Sequence, residues 1–216
     1  MTESGKGTGG PRIAGTIDGD LQPCWLCGRS VGIRALFCHG CGAVQPPRDL
    51  DHFTRLGLER RFDIDPEHLA RQHAGLSRAL TPERFVARGV RQQSNAAAQA
   101  RALDEAQTVL RDPVRRARYL LTLLEAGPVE NDPGSGPEVA ELRRRLDAAT
   151  DAIAIDRIAH EVAHRIEGCI RELAHAFRVG LTGTAARVLG RLEELEAVAA
   201  DARARRTRHA PPVPPA

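Results

Sequence analysis

Aromatic residues are scarce: one Trp, one Tyr and five Phe make up 3% of the 216-residue chain. Single-stranded nucleic acid is bound by stacking its bases on aromatic faces, so this scarcity argues against such a platform. Charge offers no substitute. The 31 Lys and Arg residues against 28 Asp and Glu leave a net charge of +3, too small and too dispersed for a phosphate-backbone binder, and no nucleic-acid partner is expected. Long apolar runs are also absent. No stretch approaches the roughly 18 to 20 apolar residues of a membrane helix, so no membrane partner is expected. Nor do β-branched residues alternate in runs, which argues against an extensive sheet.

Targeting features are missing at the N-terminus. Met1 to Gln22 mixes Glu3, Asp18 and Asp20 with only Lys6 and Arg12, without the apolar core of a secretory signal or the acid-poor, Arg-rich face of a transit peptide. The expectation is a cytoplasmic protein whose residues 1–22 form a disordered tail. Residues 205–216, with Arg205, Arg206 and Arg208 followed by Pro211, Pro212, Pro214 and Pro215, read as a second one.

What is abundant is Ala, Arg, Leu and Glu, all strong helix formers. A mostly α protein of one or two domains follows.

The five cysteines are unevenly placed. Cys24-Trp-Leu-Cys27-Gly and Cys38-His-Gly-Cys41-Gly are two knuckles separated by ten residues, each carrying two thiols on a turn that the following Gly allows to reverse. Four soft sulfur donors at this spacing suit a closed tetrahedral zinc site, whose binding energy replaces the hydrophobic core that about 25 residues cannot supply. A pair of disulfides is the alternative, and the missing secretory signal favours the metal. Structural zinc is therefore expected on Cys24, Cys27, Cys38 and Cys41, in a module over residues 23–47. Trp25, Phe37 and Val44 are its expected packing residues and His39 faces solvent. Cys169, in a helical pattern, reads as a small buried apolar residue.

Gln45-Pro46-Pro47 is a stiff connector to a helical region. Asp65 caps a helix with Pro66 at its first position, Leu69, Leu76 and Leu80 share a face, and His68, Arg71 and Arg78 lie on another. Helix grammar then repeats at Thr81-Pro82-Glu83, where Thr81 is a good N-cap and Glu83 suits the positive end of the dipole of a long helix running to Asp112. A short helix from Pro113 closes at Gly127-Pro128.

Beyond the linker from Asn131, helices over Glu138–Ala149, Ile155–Phe177 and Thr184–Ala204, joined by short connections, suit an antiparallel three-helix bundle over residues 137–204. His160-Glu-Val-Ala-His164 matches the helical pattern of zinc proteases. His160 and His164 nevertheless continue a polar stripe through Glu167, Arg171 and His175, opposite the apolar stripe. The pattern is read as a solvated helix face, and the protein as not itself an enzyme.

Several motifs occur together in order. Cys24-Trp-x-Cys27-Gly, Phe37-Cys38-x-x-Cys41, the Gln-Pro-Pro connector, Asp51-x-Phe53, Phe62-x-x-Asp65 and Pro113-x-x-Arg116-Ala117-x-Tyr119-Leu120-Leu121 resemble the iron-sulfur co-chaperone HscB in its zinc-module-bearing form, closely over Cys24 to Leu124. The resemblance implies a J-domain over residues 51–126: two antiparallel helices joined by a His-Pro-Asp loop that stimulates ATP hydrolysis by a DnaK/HscA-type chaperone, helped by a basic face on the second helix. Here the loop is Thr81-Pro82-Glu83, so proline is kept, the acid is longer and the imidazole is lost. Arg71 and Arg78 stand where the basic face would be. Weakened or absent ATPase stimulation is expected. The resemblance also implies that the C-terminal bundle holds an iron-sulfur scaffold protein. Glu141 matches that pattern, whereas Gly136, Pro137, Arg144 and Arg191 depart from it. The function implied is a divergent co-chaperone in iron-sulfur cluster assembly, and the alternative is a zinc-stabilised adaptor that has lost J activity.

Overall fold

The computed structural model describes residues 21–126 and 136–209. Residues 1–20 of the tail expected over residues 1–22, the helix stop at Gly127-Pro128, the linker from Asn131 and the last residues from 210 lie outside them. The chain divides into two compact units, Met1–Asp49 with Thr81–Gln99, and Leu50–Leu80 with Ala100–Ala216.

The first unit opens with a small hairpin. Strands β1 (Leu21–Pro23) and β2 (Ser30–Gly32) pair antiparallel, Leu21 opposite Gly32. Leu21 and Gln22 are thus ladder residues, where the sequence suggested the end of a tail. A second turn is closed by a bridge between Phe37 and Val44. The unit continues with a 3-10 helix over Pro82–Arg88 and the first half of α3 (Val90–Arg111). The single long helix expected from Thr81 onward is therefore interrupted: Gly89 has φ 92°, a backbone conformation in which only glycine is unstrained, and α3 begins after it. The unit boundary falls inside the stretch 51–126. Its reason is hydrogen bonding, because Gln92 Oε1 accepts the Val44 N–H at 3.1 Å and the Asn95 side chain donates to the Val44 carbonyl at 3.0 Å.

The second unit holds α1 (His52–Arg55), α2 (Pro66–Ala79), the second half of α3, α4 (Pro113–Leu123), α5 (Gly136–Ala148), α6 (Ala152–Arg178) and α7 (Thr182–His209). Aspartates start the helices. Asp51, Asp65, Asp112 and Asp151 each accept a backbone N–H of the first turn, from Thr54, Glu67, Arg115 and Ala154, satisfying donors that have no partner inside the helix. In the α2–α3 hairpin, Leu69, Leu80, Leu103, Ala106 and Leu110 are buried, Leu76 is half-buried, and His73 Nε2 meets Asp104 at 2.8 Å.

Helices α5, α6 and α7 pack against one another as the expected bundle, and α4 packs on α7. The α6 stripe of Ile155, Ile158, Val162, Cys169 and Leu173 is buried, against Leu189, Leu192 and Leu195 of α7. Arg118 on α4 pairs with Glu193 at 2.6 Å, and Phe62 stacks on Phe177 with centroids 5.4 Å apart. Residues 205–209 are helical rather than the start of a tail. Arg205 anchors this last turn by donating to the Leu146 carbonyl at 2.9 Å and pairing with Asp147 and Asp201, and Arg206 pairs with Asp156.

Candidate functional site

Both cysteine knuckles are built by short backbone loops. The Cys24 N–H donates to the Arg29 carbonyl at 2.7 Å and the Gly28 N–H to the Cys24 carbonyl at 2.9 Å; the second turn repeats this with Cys38 to Ala43 and Gly42 to Cys38. Gly28 and Gly42 sit at φ 73° and 69°, which is why glycine follows each pair. The folding brings all four sulfurs within 4.8 Å of one another. Cys24 and Cys41 Sγ lie 3.8 Å apart, and Cys27 and Cys38 Sγ 3.7 Å. Metal–thiolate bonds of about 2.3 Å in a tetrahedron place sulfurs about 3.8 Å apart, so these four residues fit a metal ion and are close enough to bind one.

Donors already point at the sulfurs. The Leu26 N–H and the Gln45 side-chain amide reach Cys24 Sγ, and the Gly40 N–H reaches Cys38 Sγ, each at 3.4 Å. Burial pushes the Cys24 thiol up, but the backbone donors at Cys27 and Leu26 and the Gln45 amide outweigh it and bring Cys24 down to about 6. Cys38 is lowered by the backbone donor at Cys41, against burial. Although the Ala43 N–H favours its thiolate, burial and the neighbouring sulfurs push Cys41 up to about 12. Four clustered thiolates repel one another, and a bound cation removes that repulsion. His39 is exposed and outside the cluster, Val44 is fully buried, and Trp25 packs against the cysteine core while its Nε1–H donates to the Val44 carbonyl at 2.7 Å.

Thr81, Pro82 and Glu83 open the 3-10 helix in the first unit. Thr81 stands at the N-cap position without a side-chain capping bond, so the α-helical cap read from the sequence is not formed; the Arg84 N–H donates to its carbonyl at 3.1 Å. Thr81 and Glu83 are exposed. Phe85 fixes the segment from inside, buried and stacked 6.3 Å from Phe37. In the second unit, Arg71 and Arg78 are exposed on α2, seven residues and thus two turns apart on one face. Arg71 pairs with Glu67 at 3.3 Å and Asp65 at 3.5 Å, surface contacts weak enough to be exchanged for another carboxylate.

Glu141 is exposed on α5 and pairs with Arg144 at 2.5 Å. Arg191 is half-buried, paired with Glu172 and 3.4 Å from Cys169 Sγ. His160 and His164 point outward, and the Glu161 carboxylate is held by Arg145 at 2.7 Å and Arg165 at 3.0 Å, leaving no base to activate a water. Among the described residues the four cysteines are the group close enough to hold a metal ion.

No protein-family model matches the chain. It is 36% identical over 111 residues to the co-chaperone protein HscB of Proteus mirabilis (strain HI4320), and 28% identical over 159 residues to an iron-sulfur cluster co-chaperone protein HscB homolog of Arabidopsis thaliana. These alignments cover 51% and 71% of the chain; in each case it spans 62% of the curated relative's length. The solved structure of human co-chaperone protein HscB superposes with a TM-score of 0.80, at 22% identity, covering 87% of this chain and all of that one. The chain is thus similar to HscB co-chaperones in sequence and in fold.

Within this HscB-like fold, sequence reading missed the residues that fasten the cysteine centre to α3. Gln45 donates to Cys24 Sγ through its side chain and accepts at its carbonyl from the Gln99 amide at 3.1 Å, while Gln92 and Asn95 hold Val44. Gln92 and Gln99 are buried on a helix whose other buried positions are apolar. Two Gln and one Asn at spacings of three and four on a single helical face were the available signal.

Proposed function

We propose that this protein is a divergent HscB-like co-chaperone that docks to a DnaK/HscA-type chaperone ATPase and presents a client in iron-sulfur cluster assembly. The carrying observation is the 36% identity to a co-chaperone HscB, extended by a shared fold over 87% of the chain. In this reading Thr81, Pro82, Glu83, Arg71 and Arg78 meet the chaperone. The exposed Glu83 carboxylate serves a chaperone arginine, a charge-assisted contact that the longer side chain holds less rigidly than Asp would. Glu141 contributes to the scaffold-protein surface. The metal on Cys24, Cys27, Cys38 and Cys41 is zinc, in a closed all-sulfur shell that leaves no position for substrate, so its role is structural. The protein acts in the cytoplasm as a partner and not as an enzyme; among the described residues no helix is long and apolar enough to cross a membrane.

The adaptor alternative rests on the loss of the loop histidine and the lengthened acid, and the relatives, named as co-chaperones, do not favour it. The test is binding and single-turnover ATP hydrolysis with the host's own DnaK-type chaperone. Binding with accelerated hydrolysis supports the proposal; neither binding nor acceleration overturns it.

A further inference from the structure

The cysteine centre and the segment Thr81–Gln99 form one compact unit although 39 or more residues separate them in sequence. Their contacts form a continuous path. From the sulfur end, Cys24 Sγ accepts the Gln45 side-chain amide, and the Gln45 carbonyl accepts the Gln99 amide two turns into α3. One residue earlier, both backbone groups of Val44 are used by α3: its N–H by Gln92 and its carbonyl by Asn95. On the outside, Arg91 lies 4.3 Å over the Trp25 ring, and Phe37 stacks on Phe85 inside the 3-10 helix.

This arrangement makes the order of the loop depend on the cysteine module. Phe85 is the buried residue of the 3-10 helix among those whose burial is described, and it ties this segment to Phe37, while the first turns of α3 hold its C-terminal side. Among the described residues the module in turn has a small core of Cys24, Val31, Cys38 and Ala43 with Trp25 and Ala35 packed on it and Val44 buried beside α3, too little apolar surface to hold two turns together without a metal. Gln92 and Gln99 are buried amides, and leaving such groups without partners is costly, so the face of α3 they occupy is compatible with burial only while the module is folded.

We propose that metal occupancy of the four cysteines controls the order of Thr81–Gln99, with Gln92, Asn95 and Gln99 as the positioning residues that transmit it. Loss of the metal loosens this segment while α6 and α7, which carry their own apolar core, stay folded. That the segment includes a chaperone-docking loop rests on the function proposed above; the coupling itself does not.

The test is hydrogen–deuterium exchange by mass spectrometry on the full chain, zinc-loaded and after zinc is withdrawn by a chelator, with zinc stoichiometry measured in parallel. Expected is exchange roughly tenfold or more faster across residues 82–99 on zinc removal, with α6 and α7 unchanged. A combined Gln92→Ala, Asn95→Ala and Gln99→Ala variant should keep its zinc yet show the faster exchange at residues 82–88 already in the loaded state. Unchanged exchange at residues 82–99 after zinc loss, equal loosening of α6 and α7, or a zinc-loaded triple variant that exchanges like wild type would each overturn the inference. Because no chaperone is present in this experiment, failure of the proposed function would leave its outcome unaltered.

Discussion

The Tyr119 hydroxyl accepts the backbone N–H of His52 at 3.0 Å, and the two rings lie 4.4 Å apart between centroids. Phe53 also stacks on Tyr119, with centroids 6.1 Å apart. The pair closes α1 onto α4 across 67 residues of sequence. Tyr119→Phe keeps the stacking and removes the acceptor of an N–H at a helix start, so it should lower unfolding stability by about 1 kcal/mol. Tyr119→Ala also removes the ring and should lose about 3 kcal/mol or more. Urea unfolding followed by circular dichroism distinguishes the two.

His52 itself predicts a pH dependence. Burial lowers its pKa below the usual 6.5, helped by Arg55 and opposed by Glu105 and Asp51. Between 6.5 and the lowered folded value the unfolded chain binds more protons, so stability falls as pH drops through that window and the penalty levels off below it. His52→Gln should lose this component. Its urea midpoint is expected to fall less than that of wild type between about pH 7.5 and pH 5.

Metal content separates the two motifs that suggested a metal. Purified protein should carry one zinc per chain. Cys24→Ser or Cys38→Ser should abolish stoichiometric binding, because each is a buried member of the four-sulfur set and a hydroxyl does not replace a thiolate. His160→Ala with His164→Ala should leave zinc content unchanged, since both imidazoles face solvent and Glu161 is already committed to Arg145 and Arg165. Elemental analysis after dialysis reads both.

The four-cysteine cluster was legible because its chemistry is local: each Cys pair and its following Gly define one turn, and the two turns need only meet. The helix start at Asp65 and the apolar stripe of α6 follow from equally local rules, whereas the cap at Asp151, ahead of the expected start at Ile155, was not read. Interleaving was not legible. Nothing within residues 23–47 shows that Val44 offers both backbone groups to α3, or that Gly89 splits the long helix, because these depend on where residue 92 lands in space. The motifs Asp51-x-Phe53 and Arg116-x-x-Tyr119 were recognisable as strings, but their reason is tertiary. Tyr119 serves His52 and Phe53, and the buried Arg116 lies 4.8 Å over Phe62 and donates to the Leu110 carbonyl at 2.5 Å. Arg205 was read as a frayed tail because its partners Leu146 and Asp147 lie 58 or more residues away.

Under the proposed function, the loop residues set the strength of chaperone stimulation. Thr81 presents a hydroxyl where an imidazole is expected, and Glu83 carries one methylene more than Asp. Thr81→His with Glu83→Asp should therefore raise stimulation, by roughly tenfold if the shortened acid restores one well-aligned charge-assisted contact worth about 1.4 kcal/mol. The zinc content and exchange pattern of the double variant should match wild type, because neither side chain is buried.

The most direct measurement is single-turnover ATP hydrolysis by the host's DnaK-type chaperone with and without this protein, alongside Glu83→Ala. The account predicts binding and a weak acceleration by the wild-type chain that Glu83→Ala abolishes while its zinc content is unchanged. No acceleration by the wild-type chain, together with no measurable binding to the chaperone, would contradict it.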